Sequence, residues 1–184
     1  MMRKIAGKVL EKQGWKVVGD YNGLKKSVTV FAPHTAHVDF YYGKLGFTSL
    51  GIKFKLLTKK EMFFFPMSYI MRALGAVPVR GVKGQNAIFQ IVEMFEKADE
   101  LHAVISPEGW ITRRTKWNKG FLYMAQKAKV PIVVTTLDYE KKEMGVVKVI
   151  HDTSDFNAVI AQLSDIYKDV RGKNPDQFSL HVHE

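Results

Sequence analysis

Residues 101–137 read LHAVISPEGWITRRTKWNKGFLYMAQKAKVPIVVTTL. Ile132–Leu137 at the end of this stretch has no polar–apolar alternation. That pattern predicts a strand buried on both faces. Leu101–Ile105 predicts a second strand, and Phe121–Lys129 between them a helix. A strand, a helix and a buried strand in succession form the unit of a parallel sheet.

The same alternation continues outward. Upstream, Asn86–Ala98 predicts a helix with Ile88, Ile91, Val92 and Phe95 on one face. Val77–Val79 and Phe54–Leu57 predict short strands, and Pro66–Leu74 a helix opened by its proline. Tyr41–Leu50 predicts a helix in spite of Gly43 and Gly46. Val28–Ala32 and Trp15–Gly19 predict strands separated by a turn around Asp20–Gly23. Residues 1–14 hold Ile5, Val9 and Leu10 among Arg3, Lys4, Lys8, Glu11 and Lys12, the spacing of an amphipathic helix with a basic face. Packing on the domain with a solvated side and lying on a membrane surface both suit such a helix. Downstream, Met144–Ile150 predicts a strand after a turn at Asp138–Lys142. Asp155–Val170 predicts a helix with Phe156, Val159, Ile160, Leu163 and Ile166 inside, and residues 171–184 a polar, irregular tail. The expected fold is a single α/β domain over residues 1–184, a mainly parallel central sheet flanked by helices.

Composition agrees with a globular domain: 46% of the 184 residues are apolar and 25% are charged. There is no cysteine, which excludes disulfides, thiolate metal sites and a cysteine nucleophile. The net charge of +10 points to an anionic partner. The basic residues are dispersed and no recognition motif for nucleic acid is visible, so nucleic acid is not expected. The most apolar stretch, Met62–Met71, contains Pro66 and stops at Arg72. It is far short of the ~20 residues of a spanning helix. The N-terminal stretch has no continuous apolar run, so the expected location is cytoplasmic, with any membrane contact peripheral. The phenylalanines at 63–65 suit either an interface or a core, with core burial of at least two of them expected.

Two clusters carry chemistry. The first is Ala32-Pro33-His34-Thr35-Ala36-His37-Val38-Asp39, after a buried strand. If Thr35 caps the following helix, His34 and Asp39 occupy the positions that meet across a helix start. The carboxylate would then orient the imidazole and leave its other nitrogen as a base. Alternatively His34, His37 and Asp39 are metal ligands. In a third reading Asp39 is a helix-start charge favoured by the dipole. The second cluster is Ser106-Pro107-Glu108-Gly109, followed by Arg113, Arg114, Lys116 and Lys119. At a strand's end it places a carboxylate and a bare backbone in the crevice where α/β proteins bind ligands, beside cations suited to phosphate. There is no GxSxG, GxGxxG, P-loop or HExxH.

With both clusters in view, the sequence resembles the glycerophospholipid acyltransferases of the lysophosphatidic acid acyltransferase type. Four blocks occur in that family's order. They are the H-x4-D box His34–Asp39; Lys59-Lys60-Glu61-Met62-Phe63 with Pro66 and Gly75-Ala76-Val77-Pro78-Val79-Arg80; Pro107-Glu108-Gly109; and Val130-Pro131-Ile132-Val133. Trp117-x-x-Gly120-Phe121 and Gly172-Lys173-x-Pro175-x-x-Phe178-Ser179 resemble a short, compact branch. The resemblance implies a glycerol-3-phosphate acyltransferase-like fold. It implies transfer of an acyl group from acyl-CoA or acyl carrier protein to the hydroxyl of a lysophospholipid, foremost 1-acylglycerol-3-phosphate. It implies His34 as general base, Asp39 as its orienting carboxylate, and Arg80, Glu108, Gly109 and Arg113 toward the acceptor's phosphate and glycerol. No cofactor, metal or covalent enzyme intermediate is expected. The expected partner is an anionic membrane surface, met peripherally on the inner face of the membrane. Two positions depart from the family's pattern: Trp110 and Ile111 follow Gly109 where threonine and arginine are frequent, and Gly81 stands where its arginine commonly lies. Arg114 and Lys83 are the neighbouring substitutes. A metal-dependent hydrolase using His34, His37 and Asp39, and a non-catalytic lipid-binding module, remain the alternatives.

Overall fold

Every residue of Ile132–Asp138 is buried, which only a central strand covered on both faces allows. The computed structural model describes residues 1–79, 85–109, 111 and 117–180. In chain order the elements are α1 (Met2–Lys12), β1 (Lys16–Val18), β2 (Lys26–Ala32), α2 (Asp39–Leu50), β3 (Phe54–Lys59), α3 (Met67–Ala73), β4 (Ala76–Val79), α4 (Gln85–Lys97), β5 (Leu101–Ile105), α5 (Gly120–Ala128), β6 (Ile132–Asp138), β7 (Glu143–Ile150) and α6 (Phe156–Tyr167). The strands form one seven-stranded sheet in the order β1-β7-β6-β2-β5-β3-β4. From β6 to β4 all neighbours are parallel; β7 reverses against β6, and β1 follows β7. The fold is the α/β architecture expected, with its sheet mainly parallel.

Helices cover both faces. On one, Leu10 of α1, Phe47 of α2 and Met71 of α3 share a core with Phe31, Leu56 and Val104. On the other, Ile91 of α4, Phe121 of α5 and Leu163 of α6 share a core with Val28, Val30 and Ile132. The crossovers from β2 to β3 and from β3 to β4 move one way behind α2 and α3. Those from β4 to β5 and from β5 to β6 move back behind α4 and α5, so the chain doubles on itself across β2 and β5.

Most predicted elements lie within one to three residues of their place. Two expectations need correction. Phe64 and Phe65 are exposed, so two of the three phenylalanines are not core. Half-buried Phe63 packs against the same core as Met67, Met71 and Leu74, and Phe64 and Phe65 fall outside it. The second correction concerns α6, which stops at Tyr167. A turn from Val170 N–H to Tyr167 O ends it, and Arg171 O then accepts from Tyr139 N–H at 2.8 Å. The described part of the tail is irregular, as expected, apart from one 3-10 turn at Pro175–Gln177, and is mostly exposed, with Gly172 buried and 178–180 half-buried. Phe178 and Leu180 lie against the core, and Trp117 Nε1 donates to Ser179 O at 3.0 Å.

Gly172 holds the tail close to the strand β2 end. A Cβ there would meet Thr35 Oγ1 at 2.7 Å, Thr35 Cγ2 at 2.9 Å and Pro33 Cβ at 3.1 Å. Thr35 is itself buried and has little room to yield. Gly172→Ala is therefore expected to destabilise the protein by about 1–3 kcal/mol in urea unfolding. An unchanged midpoint would show that the tail is not fixed against this loop.

Candidate active site

The parallel registers assemble the site. Val30 lies beside Ile105, and Ala32 beside Thr136. His34, Glu108 and Tyr139 each follow a few residues later, so all three emerge at the carboxyl end of the sheet. This is the edge where α/β proteins bind ligands.

Asp39 is fully buried at the first turn of α2. Its Oδ2 accepts from His34 Nδ1 at 3.1 Å, from Thr35 N–H at 2.8 Å and from Ala36 N–H at 2.9 Å. Its Oδ1 accepts from the Tyr139 hydroxyl at 2.6 Å. An ionised carboxylate is an acceptor only, so the proton of the neutral imidazole sits on Nδ1 and Nε2 is the lone-pair nitrogen. The predicted dyad is present, by a different local route. Thr35 does not cap α2; Val38 occupies that position, and the Asp39 carboxylate reaches back to the turn before it. The Thr35 side chain faces the tail, where Oγ1 accepts from Asn174 N–H at 3.1 Å and its carbonyl from Asn174 Nδ2 at 2.8 Å.

The second box meets the first. Glu108 is buried, and its Oε1 accepts the His34 backbone N–H at 2.9 Å. Burial pushes its carboxyl up to about 8 against that hydrogen bond, and the neighbouring Asp39 charge adds to the rise. Glu108 thus steadies the histidine's backbone, a contact the sequence does not reveal. Gly109 adopts a φ of +70° and borders the same cavity.

That cavity, of about 100 Å3, is lined by the polar residues His34, His37, Asp39, Thr58, Lys59 and Ser106 together with Gly109. Most of its lining is apolar, including Phe31, Phe40, Phe47, Leu56, Val104 and Met124. Ser106 Oγ is buried and has no hydrogen-bond partner among the described residues.

Tyr139 is the residue that sequence reasoning missed. Its ring is held by Trp15, 5.0 Å away edge to face, and by Tyr42 at 5.8 Å. Burial and the adjacent Asp39 carboxylate push its phenol well up, so it stays a neutral donor. The signal available was positional: it follows a buried strand at the same sheet edge as His34.

His37 is exposed, and both Asp39 oxygens are occupied. Among the described residues no three histidine, aspartate or glutamate side chains form a metal-holding group. Arg80 and Arg113 lie outside the described residues, as do Lys83 and Arg114.

Residues 14–137 match the family model described as Acyltransferase. The chain belongs to the acyltransferase family. No curated protein matches it. Among solved structures it is similar to the crystal structure of the 1-acyl-sn-glycerophosphate (LPA) acyltransferase PlsC from Thermotoga maritima. The TM-score is 0.58 at 18% identity, over 91% of this chain and 75% of that one. At that identity the likeness is one of fold. The family match, over residues 14–137, spans both sequence boxes, His34–Asp39 and Pro107–Gly109. Among the described residues of this acyltransferase, no helix is long and apolar enough to cross a membrane.

The Glu108 environment has a measurable sign. In the unfolded chain the carboxyl titrates near 4.5, and in the folded protein near about 8. Between those values the unfolded state has lost a proton that the folded state keeps. Stability contributed by this group therefore falls as pH rises through the window, by at most about 1.4 kcal/mol per unit. Glu108→Gln keeps an acceptor for His34 N–H and removes the titration. Urea unfolding at both ends of the window is expected to show a smaller pH dependence in the variant than in the wild type. Equal dependence in the two proteins would refute the shift.

Proposed function

We propose that this acyltransferase moves a fatty acyl group from an acyl thioester, acyl-CoA or acyl carrier protein, to the hydroxyl of a lysophospholipid, with 1-acylglycerol-3-phosphate the first candidate. The observation that carries the proposal is the His34–Asp39 pair, at 3.1 Å, lining a mostly apolar cavity. An apolar cavity suits an alkyl chain; a base on its wall suits a hydroxyl brought to that chain's carbonyl end. The structure similar in fold is that of a 1-acyl-sn-glycerophosphate (LPA) acyltransferase, which supports the choice of acceptor.

In this account His34 Nε2 takes the acceptor's hydroxyl proton as the oxygen bonds to the thioester carbonyl carbon. Asp39 stabilises the imidazolium that forms, the role a buried aspartate has in a triad. When the tetrahedral intermediate collapses, the carbon–sulfur bond breaks and the imidazolium returns its proton to the thiolate. No residue of the chain is acylated. Ser106 Oγ lines the same cavity and has no partner among the described residues; in this account it donates to the carbonyl oxygen as that oxygen gains charge. Glu108 fixes the backbone of the base, and Gly109 leaves room for the acceptor. Arg80 and Arg113 are assigned to the acceptor's phosphate. Neither a cofactor nor a metal is required. The setting is the inner face of a membrane, approached from the cytoplasm. Each basic residue near an anionic surface contributes roughly 1 kcal/mol there, which the net charge of +10 favours.

The test is acyl transfer from a long-chain acyl-CoA, and separately from an acyl carrier protein, to a panel of lysophospholipids in the presence of a chelator. The wild type is expected to acylate lysophosphatidate. His34→Ala is expected to lower kcat/KM by about 10²- to 10⁴-fold while its far-UV circular dichroism stays unchanged. Wild-type turnover by His34→Ala would remove the base from the account. Activity abolished by the chelator would favour the hydrolase alternative.

A further inference from the structure

The surface carried by α3 and the segment before it is not used by the chemistry above. Phe64, Phe65, Tyr69 and Ile70 are 56, 81, 68 and 52% exposed. They form a patch rather than scattered contacts: the Phe65 and Tyr69 rings meet edge to face with centroids 6.2 Å apart. Contiguous exposed apolar surface of this kind marks an interaction site. Its charge has one sign in excess. Between Lys59 and Gly75 the bases are Lys59, Lys60 and Arg72, and the sole acid is Glu61. Lys60 and Arg72 are exposed, and the Arg72 guanidinium lies 5.9 Å from the centroid of the Phe63 ring. The patch also adjoins the site. Met62, two residues before Phe64, lines the same cavity as His34.

We propose that this patch is the surface by which the enzyme docks on an anionic lipid bilayer and receives its acceptor. The inference rests on the lipid reading of the acceptor given above. Aromatic rings with an aliphatic neighbour suit the boundary between headgroups and acyl chains. Lysine and arginine beside them suit the phosphates of an anionic leaflet. With Phe64 and Phe65 seated at that boundary, the wall formed by Met62 faces the membrane. An acyl chain could then pass from bilayer to cavity without crossing water.

Flotation with vesicles tests the assignment. Vesicles of phosphatidylcholine alone, and of phosphatidylcholine mixed with phosphatidylglycerol, are offered to three proteins. These are the wild type, the double variant Phe64→Ser with Phe65→Ser, and Ile5→Ser on the exposed side of α1. The wild type is expected to favour the anionic vesicles. The double variant should lose that partition about tenfold or more, and Ile5→Ser should keep it. Thermal unfolding of the double variant should match the wild type, because both side chains are exposed. Its rate should fall on acceptor embedded in vesicles and hold on a short-chain, water-soluble acceptor. Three results would overturn the proposal: a wild type that does not bind, equal partition of wild type and double variant, or loss caused by Ile5→Ser instead. So would sedimentation showing that the patch closes a dimer. Vesicle binding lost in the double variant, with no transfer to any lysophospholipid by the wild type, would sink the acceptor reading and leave the docking surface standing.

Discussion

A fully buried carboxylate has to be surrounded by donors, and Asp39 sets that demand on the whole carboxyl edge of the sheet. An unpaired charge there would cost several kcal/mol. The donors come from two separate parts of the chain: the loop after β2, through two backbone N–H groups and the His34 imidazole, and the hydroxyl that follows β6. Meeting the demand therefore fixes the loop, the histidine and two strands relative to one another. The same loop is fixed a second time from outside. Glu108 holds the His34 backbone, and Asn174 of the tail holds Thr35 on both its hydroxyl and its carbonyl. A base whose ring and backbone are both constrained needs little reorganisation when a proton moves.

The fold supplies this geometry because its central strands are parallel and in register. Strands β2, β5 and β6 run in the same direction, with Ile105 beside Val30 and Thr136 beside Ala32, so the loops after them leave from the same edge of the sheet. The cavity opens beneath them because α2 lies close to the sheet. Gly43 and Gly46 permit that approach. A Cβ at Gly43 would meet the Phe31 ring at 3.3 Å, and one at Gly46 would meet Met144. Each glycine costs a helix roughly 1 kcal/mol in propensity. Here the cost is offset by contact between α2 and the strand residues beneath it.

Those two glycines also mark what a sequence can and cannot show. They weaken the helical pattern of 41–50, yet the helix forms because its packing requires them. The buried strand 132–138 is legible, since a short run of continuous apolar character suits a strand covered on both faces. The two boxes are legible as chemistry, because a histidine and an aspartate around a helix start point to each other. What is not legible is contact across the sheet. Nothing near Tyr139 signals that its hydroxyl meets Asp39, a hundred residues earlier. Nothing in the polar tail signals that Asn174 grips Thr35. The phenylalanines at 64 and 65 mislead for a related reason: hydrophobicity says that a side chain gains by leaving water, and not which apolar medium it enters.

The central claim is that the Asp39 carboxylate makes His34 a base. The most direct measurement is kcat/KM for acyl transfer by Asp39→Asn, compared with the wild type at the same fraction folded. The asparagine oxygen can still accept from the Thr35 and Ala36 N–H groups, so the loop retains partners. The amide cannot stabilise an imidazolium or hold its tautomer. The account predicts a fall of about 10³- to 10⁴-fold with the fold retained. A folded Asp39→Asn protein with transfer rates near those of the wild type would contradict it.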